Sequence, residues 1–75
     1  MSNIIEKVLV DSDCIHDAKY NNLTNRLTLF YKKGGVYIYE NVPNFYWHGL
    51  FNAKSKGRFI NKYIVQRFLV YKKIG

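Results

Sequence analysis

The sequence predicts a single small α+β domain, in which a three-stranded antiparallel meander packs against two short helices and is followed by a basic C-terminal tail. The first observation is length, because a chain of 75 residues forms one domain and no more. The second is that apolar residues alternate with a period of two in the first half of the chain, as they do in strands. The third is that they repeat at helical spacing in the second half.

The first two strands are predicted over residues 14–20 and 26–32. The first alternates weakly and ends at Asn21 and Asn22, which tolerate turn conformations. The second alternates clearly, so one of its faces is expected to be buried. That face carries Leu27, Leu29 and Tyr31.

The third strand, residues 36–40, follows a predicted hairpin turn at Gly34 and Gly35. Glycine supplies the positive φ that tight hairpin turns require. Tyr37 and Tyr39 share one face of this strand, and we interpret them as core residues because that face must cover the helices. The alternative is an exposed surface on which nucleic-acid bases stack.

The helices are predicted after Pro43, which lacks the amide proton that a sheet ladder needs. Residues 44–52 have helical spacing, although Gly49 weakens a helix by about 1 kcal/mol relative to alanine. Ser55 can cap a second helix over residues 56–65. The predicted buried stripe of that helix consists of Phe59, Ile60, Tyr63 and Ile64.

The composition indicates a core of aromatic rings and no bound cofactor. The chain contains seven Tyr, five Phe and one Trp, and each such ring buries about 150–250 Å². One cysteine and two histidines are too few for an internal disulfide or a closed zinc site. We therefore expect no metal and no cofactor.

The sequence also predicts a cytoplasmic protein that makes no use of a membrane. No stretch approaches the roughly 18 apolar residues that span a bilayer. Glu6 stands early, where a signal peptide would need a basic segment and then an apolar one. The single cysteine fits a reducing compartment.

Positive charge is concentrated in the second half of the chain. The net charge is +7, yet four of the five acids precede residue 18. Residues 67–73 form a basic, aromatic tail that either adds an edge strand or packs against the sheet. From residue 53 onwards there is no acid, and the candidate binding residues are Lys54, Lys56, Arg58, Lys62, Arg67, Lys72 and Lys73.

Such a surface attracts polyanions, so nucleic acid is the predicted partner. An acidic surface on another protein is the alternative, and a third interpretation is that the charges only keep an aromatic-rich domain soluble. Within the basic segment, Ser55, Lys56 and Arg58 at a helix start could hold a phosphate. The alternative for this stretch is that Ser55 only caps the helix.

A second candidate surface lies on the other face of the hairpin. If Tyr37 and Tyr39 point inward, then Phe30, Val36 and Ile38 point outward and form an apolar patch. We therefore predict self-association through this patch, as a homodimer.

Catalysis is not expected, because no activated nucleophile, paired carboxylates or metal cluster can be assembled from these residues. Cys14 and His16 supply the elements of a nucleophile and a base, but no oxyanion site accompanies them. His48 has no partner at motif spacing.

The residues as a set resemble the KTSC domain. The resemblance covers about residues 12–71, so residues 1–11 are predicted to be an N-terminal extension and residues 12–75 the domain. The motifs that carry it are a Tyr-x-Tyr on the hairpin, a Val-Pro step and a Ser-Lys-Gly-Arg stretch leading to an asparagine. These are Tyr37, Tyr39, Val42, Pro43, Ser55, Lys56, Gly57, Arg58 and Asn61.

The family takes its name from an occurrence at the end of some lysyl-tRNA synthetases, and it also occurs as free-standing small proteins. The resemblance therefore implies binding of RNA or other nucleic acid. A free-standing domain of this size could instead be a protein-interaction module, for example a viral inhibitor or adaptor that binds an acidic surface of a host protein.

Overall fold

A computed structural model describes residues 5–10 and 14–74 of the chain. A five-stranded antiparallel sheet covers two helices, which confirms the α+β class and the helices as predicted. The predicted domain start at Ser12 and two of the acids, Asp11 and Asp13, lie outside the described residues. In the part of the chain that is described, no helix has the length and apolar character needed to cross a membrane.

The elements follow one another without a crossover, and the order of strands across the sheet is the order along the chain. The strands are β1 (Ile5–Leu9), β2 (Ile15–Asn21), β3 (Arg26–Tyr31), β4 (Gly35–Tyr39) and β5 (Val70–Ile74). The first helix is α1 (Asn44–Asn52). The second helix, residues 56–65, begins as α2 (Lys56–Phe59) and continues as a π-helical segment (Ile60–Val65).

The predicted number of three strands was wrong. The predicted three are present as β2, β3 and β4, with ends within one residue of the prediction, but β1 pairs with β2 and β5 pairs with β4. Residues 5–9, predicted to be an extension, therefore belong to the sheet. β5 corresponds to the edge strand that was one of the two alternatives for the tail. Alternation alone does not indicate it, because all five of its residues are exposed and neither face selects apolar side chains.

Two tight turns connect the central strands. Between β2 and β3, Asn21 Oδ1 accepts hydrogen bonds from the amides of Leu23 at 2.9 Å and Thr24 at 3.3 Å, and Asn25 has a φ of 57°. Asparagine tolerates this left-handed conformation better than most residues. Between β3 and β4, Gly35 has a φ of 86°, which confirms the predicted glycine turn.

The core lies between the helices and one face of the sheet. Tyr39 is buried and Tyr37 packs against the core while half-buried, which confirms the core interpretation of this face. Within this core, Tyr20 and Trp47 stack with ring centroids 5.5 Å apart. The Tyr20 hydroxyl donates to the Val42 carbonyl at 2.7 Å and accepts from Asn25 Nδ2 at 2.8 Å, so this buried phenol is satisfied.

Gly49 allows the two helices to approach closely. A Cβ atom at this position would lie 2.7 Å from Cζ of Phe59, which is closer than van der Waals contact allows. The ring of Phe59 therefore rests against the backbone of α1. This contact explains a glycine in the middle of a helix, where it would otherwise only be a cost.

Candidate functional site

The predicted binding residues occupy two parts of the molecule. Five of them lie on the second helix or beside it, in a helical layer (residues 44–68) that contains no acid in its sequence. They are Lys54, Lys56, Arg58, Lys62 and Arg67. The other two, Lys72 and Lys73, lie on β5.

The two lysines of β5 point to opposite faces of the sheet. Lys73 lies opposite Tyr37 and places its ammonium 5.3 Å from the centroid of that ring. Lys72 lies opposite Ile38 on the outer face. The seven predicted bases therefore do not form one continuous surface, and the five of the helical layer form the larger group.

At the start of the second helix, Ser55 acts as a cap. Its hydroxyl accepts from the amide of Arg58 at 3.4 Å, and its carbonyl accepts from the amide of Phe59 at 3.0 Å. Lys56 donates through Nζ to the carbonyl of Ala53 at 3.2 Å. The capping interpretation is thus confirmed, whereas phosphate binding by this stretch stays a prediction; Arg58 is exposed and has its guanidinium available.

A cleft of about 510 Å³ lies between the second helix and the adjoining ends of β2 and β3. Four of the residues that carry the family resemblance meet in its wall, together with the chain's cysteine and a tyrosine from β3. The lining is formed by Cys14, Ile15, Tyr31, Ser55, Gly57, Arg58, Ile60, Asn61 and Val65. Burial raises the pKa of Tyr31, and the neighbouring Tyr37 and Cys14 raise it further, so the hydroxyl stays protonated as a hydrogen-bond donor.

The cleft is lined by residues whose side chains carry hydrogen-bond donors. Tyr31, Asn61 and Arg58 are among them. His16 is not part of the described lining, and its Nδ1 lies 3.6 Å from Asp17 Oδ1. Within residues 5–10 and 14–74, no three His, Cys, Asp or Glu side chains group closely enough to hold a metal ion.

On the other side of the second helix lies a groove of about 270 Å³ that is lined almost entirely by rings. We call it the aromatic groove; its lining is Phe45, Tyr46, Gly49, Phe59, Tyr63 and Arg67. The ring centroids of Phe45 and Tyr46 are 4.5 Å apart, and those of Phe59 and Tyr63 are 4.8 Å apart. Phe45 is 67 % exposed, so one of these rings is open to a ligand.

Two cations lie beside the Tyr63 ring, and one of them, Arg67, is part of the lining of the aromatic groove. The Lys62 ammonium is 5.4 Å and the Arg67 guanidinium carbon 5.5 Å from the centroid of the Tyr63 ring. Both distances allow cation–π attraction. The groove therefore combines aromatic walls with a positive edge.

Sequence reasoning missed this groove. It placed Phe59 and Tyr63 in one buried stripe with Ile60 and Ile64, but only the two isoleucines are buried. Consecutive residues on a helix differ in direction by about 100°, so a stripe two residues wide cannot all face the sheet. The excess width of the apolar stripe was the signal that could have revealed a second surface.

The outer face of the sheet carries the apolar patch of Phe30, Val36 and Ile38, and all three side chains are half-buried. Lys19 places its ammonium 5.4 Å from the ring centroid of Phe30. At the margin of the same face, Arg26 pairs with Glu40 at 2.8 Å.

Self-association through this patch remains a prediction. We expect Ile38→Lys to shift a monomer–dimer equilibrium towards monomer, because the substitution adds a charge to the middle of the buried area. Sedimentation at tens of micromolar measures it, with Gln66→Lys, at an exposed position of the helical layer, as a control for added charge. A wild type that sediments as a monomer at that concentration, and is unaffected by Ile38→Lys, would show that the patch is not a dimer interface.

Comparison with known proteins agrees with the resemblance that the sequence showed. The sequence profile of the KTSC domain matches residues 11–68. A curated protein from Tsukamurella paurometabola is 36 % identical over 59 residues, which cover 79 % of this chain and 88 % of that protein. The structure is similar to the crystal structure of a KTSC domain protein from Yersinia pestis, with a TM-score of 0.83 and 30 % identity, over 96 % of this chain and 100 % of that one.

Proposed function

The chain belongs to the KTSC domain family, and from this premise we propose that it is a non-catalytic binding domain whose helical layer binds the phosphate backbone of nucleic acid in the cytoplasm. The observation that carries the proposal is the separation of charge between the two layers. The helical layer contributes five bases and no acid. Asp17 and Glu40, by contrast, are held in ion pairs with Lys7 at 3.0 Å and Arg26 at 2.8 Å, away from that layer.

The surroundings of the bases favour a polyanion over a single acidic group. Arg58 lines the cleft and Arg67 the aromatic groove, so cations flank the second helix on both sides. A phosphate backbone presents charge at regular intervals and can contact both sides at once. Tyr31 and Asn61 in the cleft add neutral donors, which commonly accompany basic side chains at phosphates.

The experiment is a titration of single-stranded RNA and duplex DNA at two salt concentrations. We expect log affinity to fall linearly with log salt, with a slope of about 0.7–0.9 per phosphate neutralised. The variant Arg58→Glu/Lys62→Glu removes two exposed bases of the helical layer. If each contacts one phosphate, the magnitude of the slope should decrease by about 1.4–1.8.

The matched control is Lys32→Glu/Lys33→Glu, which makes the same change in net charge at the exposed β3–β4 turn. It should leave the slope close to that of the wild type. Equal losses in both variants would mean that overall charge, and not the helical layer, determines binding. Absence of binding at low salt would refute the proposal.

A pull-down with and without nuclease tests the alternative, which is a protein-interaction module. A partner that survives nuclease treatment, from a domain that binds neither RNA nor DNA, would support a module that docks on an acidic protein surface. The non-catalytic part of the proposal would fail if a turnover activity were found that Cys14→Ala abolishes.

A further inference from the structure

We infer that the aromatic groove binds an unpaired nucleobase, and hence that the ligand of the helical layer is single-stranded rather than duplex nucleic acid. This inference rests on the proposed function and specifies its ligand. The faces of bases within a duplex are covered by their neighbours, whereas a single strand can turn a base outward onto an aromatic side chain.

The dimensions of the aromatic groove suit one flat ring. Its volume of about 270 Å³ is just below the roughly 300–1,000 Å³ of sites that enclose drug-sized ligands. Phe45 at 67 % exposed offers a ring to solvent, and Tyr46 beneath it is fixed by an edge-on contact with Phe68 at 5.3 Å. The open ring is thus supported by packed ones, as a stacking site requires.

The charges around the aromatic groove indicate a nucleotide rather than an apolar peptide. A base that enters the groove brings its own phosphate close to Lys62 and Arg67. An apolar peptide segment would gain nothing from these cations. The outer patch of the sheet is different, because two of the bases near it, Lys7 and Arg26, are already paired with Asp17 and Glu40 and are less available to a phosphate.

Gly49 has a specific part in this arrangement. The distal edge of the Phe59 ring, at Cζ and Cε2, occupies the space that a side chain at position 49 would need. A larger residue at this position would push Phe59 outward into the volume that the base is inferred to occupy.

The test uses a single-stranded RNA dodecamer, the same strand with abasic sites in its centre, and the corresponding duplex. Removing bases leaves the phosphates in place, so it separates stacking from charge. We expect the intact strand to bind the wild type about 5- to 150-fold more tightly than the abasic strand, the range that one stacked base supplies. The duplex should bind with an affinity like that of the abasic strand.

The informative variant is Phe45→Ala, and its matched control is Phe51→Ala on the same helix, since Phe51 is also exposed but does not line the groove. Phe45→Ala should weaken binding of the intact strand by a similar factor and leave binding of the abasic strand unchanged. Phe51→Ala should change neither. Circular dichroism of both variants establishes that they are folded.

The outcomes distinguish a failure of base stacking from a failure of nucleic-acid binding. If the wild type binds intact and abasic strands equally, or if Phe45→Ala weakens both alike, the groove does not take a base and only backbone binding stands. If none of the three nucleic acids binds at low salt, the proposed function fails, and this inference fails with it.

Discussion

Replacing Trp47 by alanine is expected to remove about 3–5 kcal/mol from the free energy of unfolding. The side chain is only 2 % exposed and stacks on Tyr20, where α1 meets the sheet. A 75-residue domain has a total stability of about 4–11 kcal/mol. The variant should therefore lose a large share of its stability and unfold at a much lower urea concentration than the wild type, which urea unfolding followed by circular dichroism measures.

Two control variants test whether the loss of stability comes from the buried ring of Trp47. Trp47→Phe keeps an aromatic ring in the same cavity and should lose clearly less stability than the alanine variant. Phe51→Ala, at an exposed position on the same helix, should stay within about 0.5 kcal/mol of the wild type. A Trp47→Ala protein that unfolds at nearly the wild-type urea concentration would show that this contact does not anchor α1.

Stability is also expected to fall steeply as the pH rises from about 10 towards 12. Burial, together with the nearby Tyr31 and Tyr37, raises the pKa of Tyr39 to about 12. In the unfolded chain the pKa is about 10. The stabilising contribution is therefore complete below pH 10 and is lost as the pH rises towards the pKa of the folded state, because the unfolded chain gives up its proton first.

The loss is about 1.4 kcal/mol for each pH unit in that window, or on the order of 2–3 kcal/mol from Tyr39. The pKa of Tyr20 is also raised, chiefly by burial, and acts in the same direction. Urea unfolding at several pH values between 9 and 12 measures the slope. Tyr39→Phe keeps the ring but removes the titrating group, so its stability should depend less on pH; an unchanged slope in that variant would contradict the assignment.

The sheet could be predicted where burial acts on one face only. Leu27, Leu29 and Tyr39 are buried, while their neighbours along β3 and β4 are more exposed. Apolar residues therefore recur at every second position in these strands. The glycine turn was predictable because Gly35 occupies a left-handed position, and the turn after β2 because the Asn21 side chain accepts hydrogen bonds from the amides that follow it. β5 could not be predicted in the same way, since a strand without a buried face has no reason to alternate.

The bases of the candidate site could be read directly from the sequence, and so could Ser55 as a cap, but the surfaces on which they lie could not. The aromatic groove could not, because Phe45 and Phe59 come from different helices. Phe45 and Phe59 come together because of the way in which α1 and the second helix cross. Gly49 allows the close contact between these helices, and no local sequence pattern indicates it.

The position of β5 at the edge of the sheet gives its two lysines a role that needs no ligand. An edge strand presents unpaired backbone groups, to which a strand of another molecule can add and start an aggregate. Because Lys72 and Lys73 point to opposite faces of β5, an incoming strand meets a positive charge whichever way its side chains are turned. A second copy of the same chain would bring the same charges, so this edge resists growth into fibres.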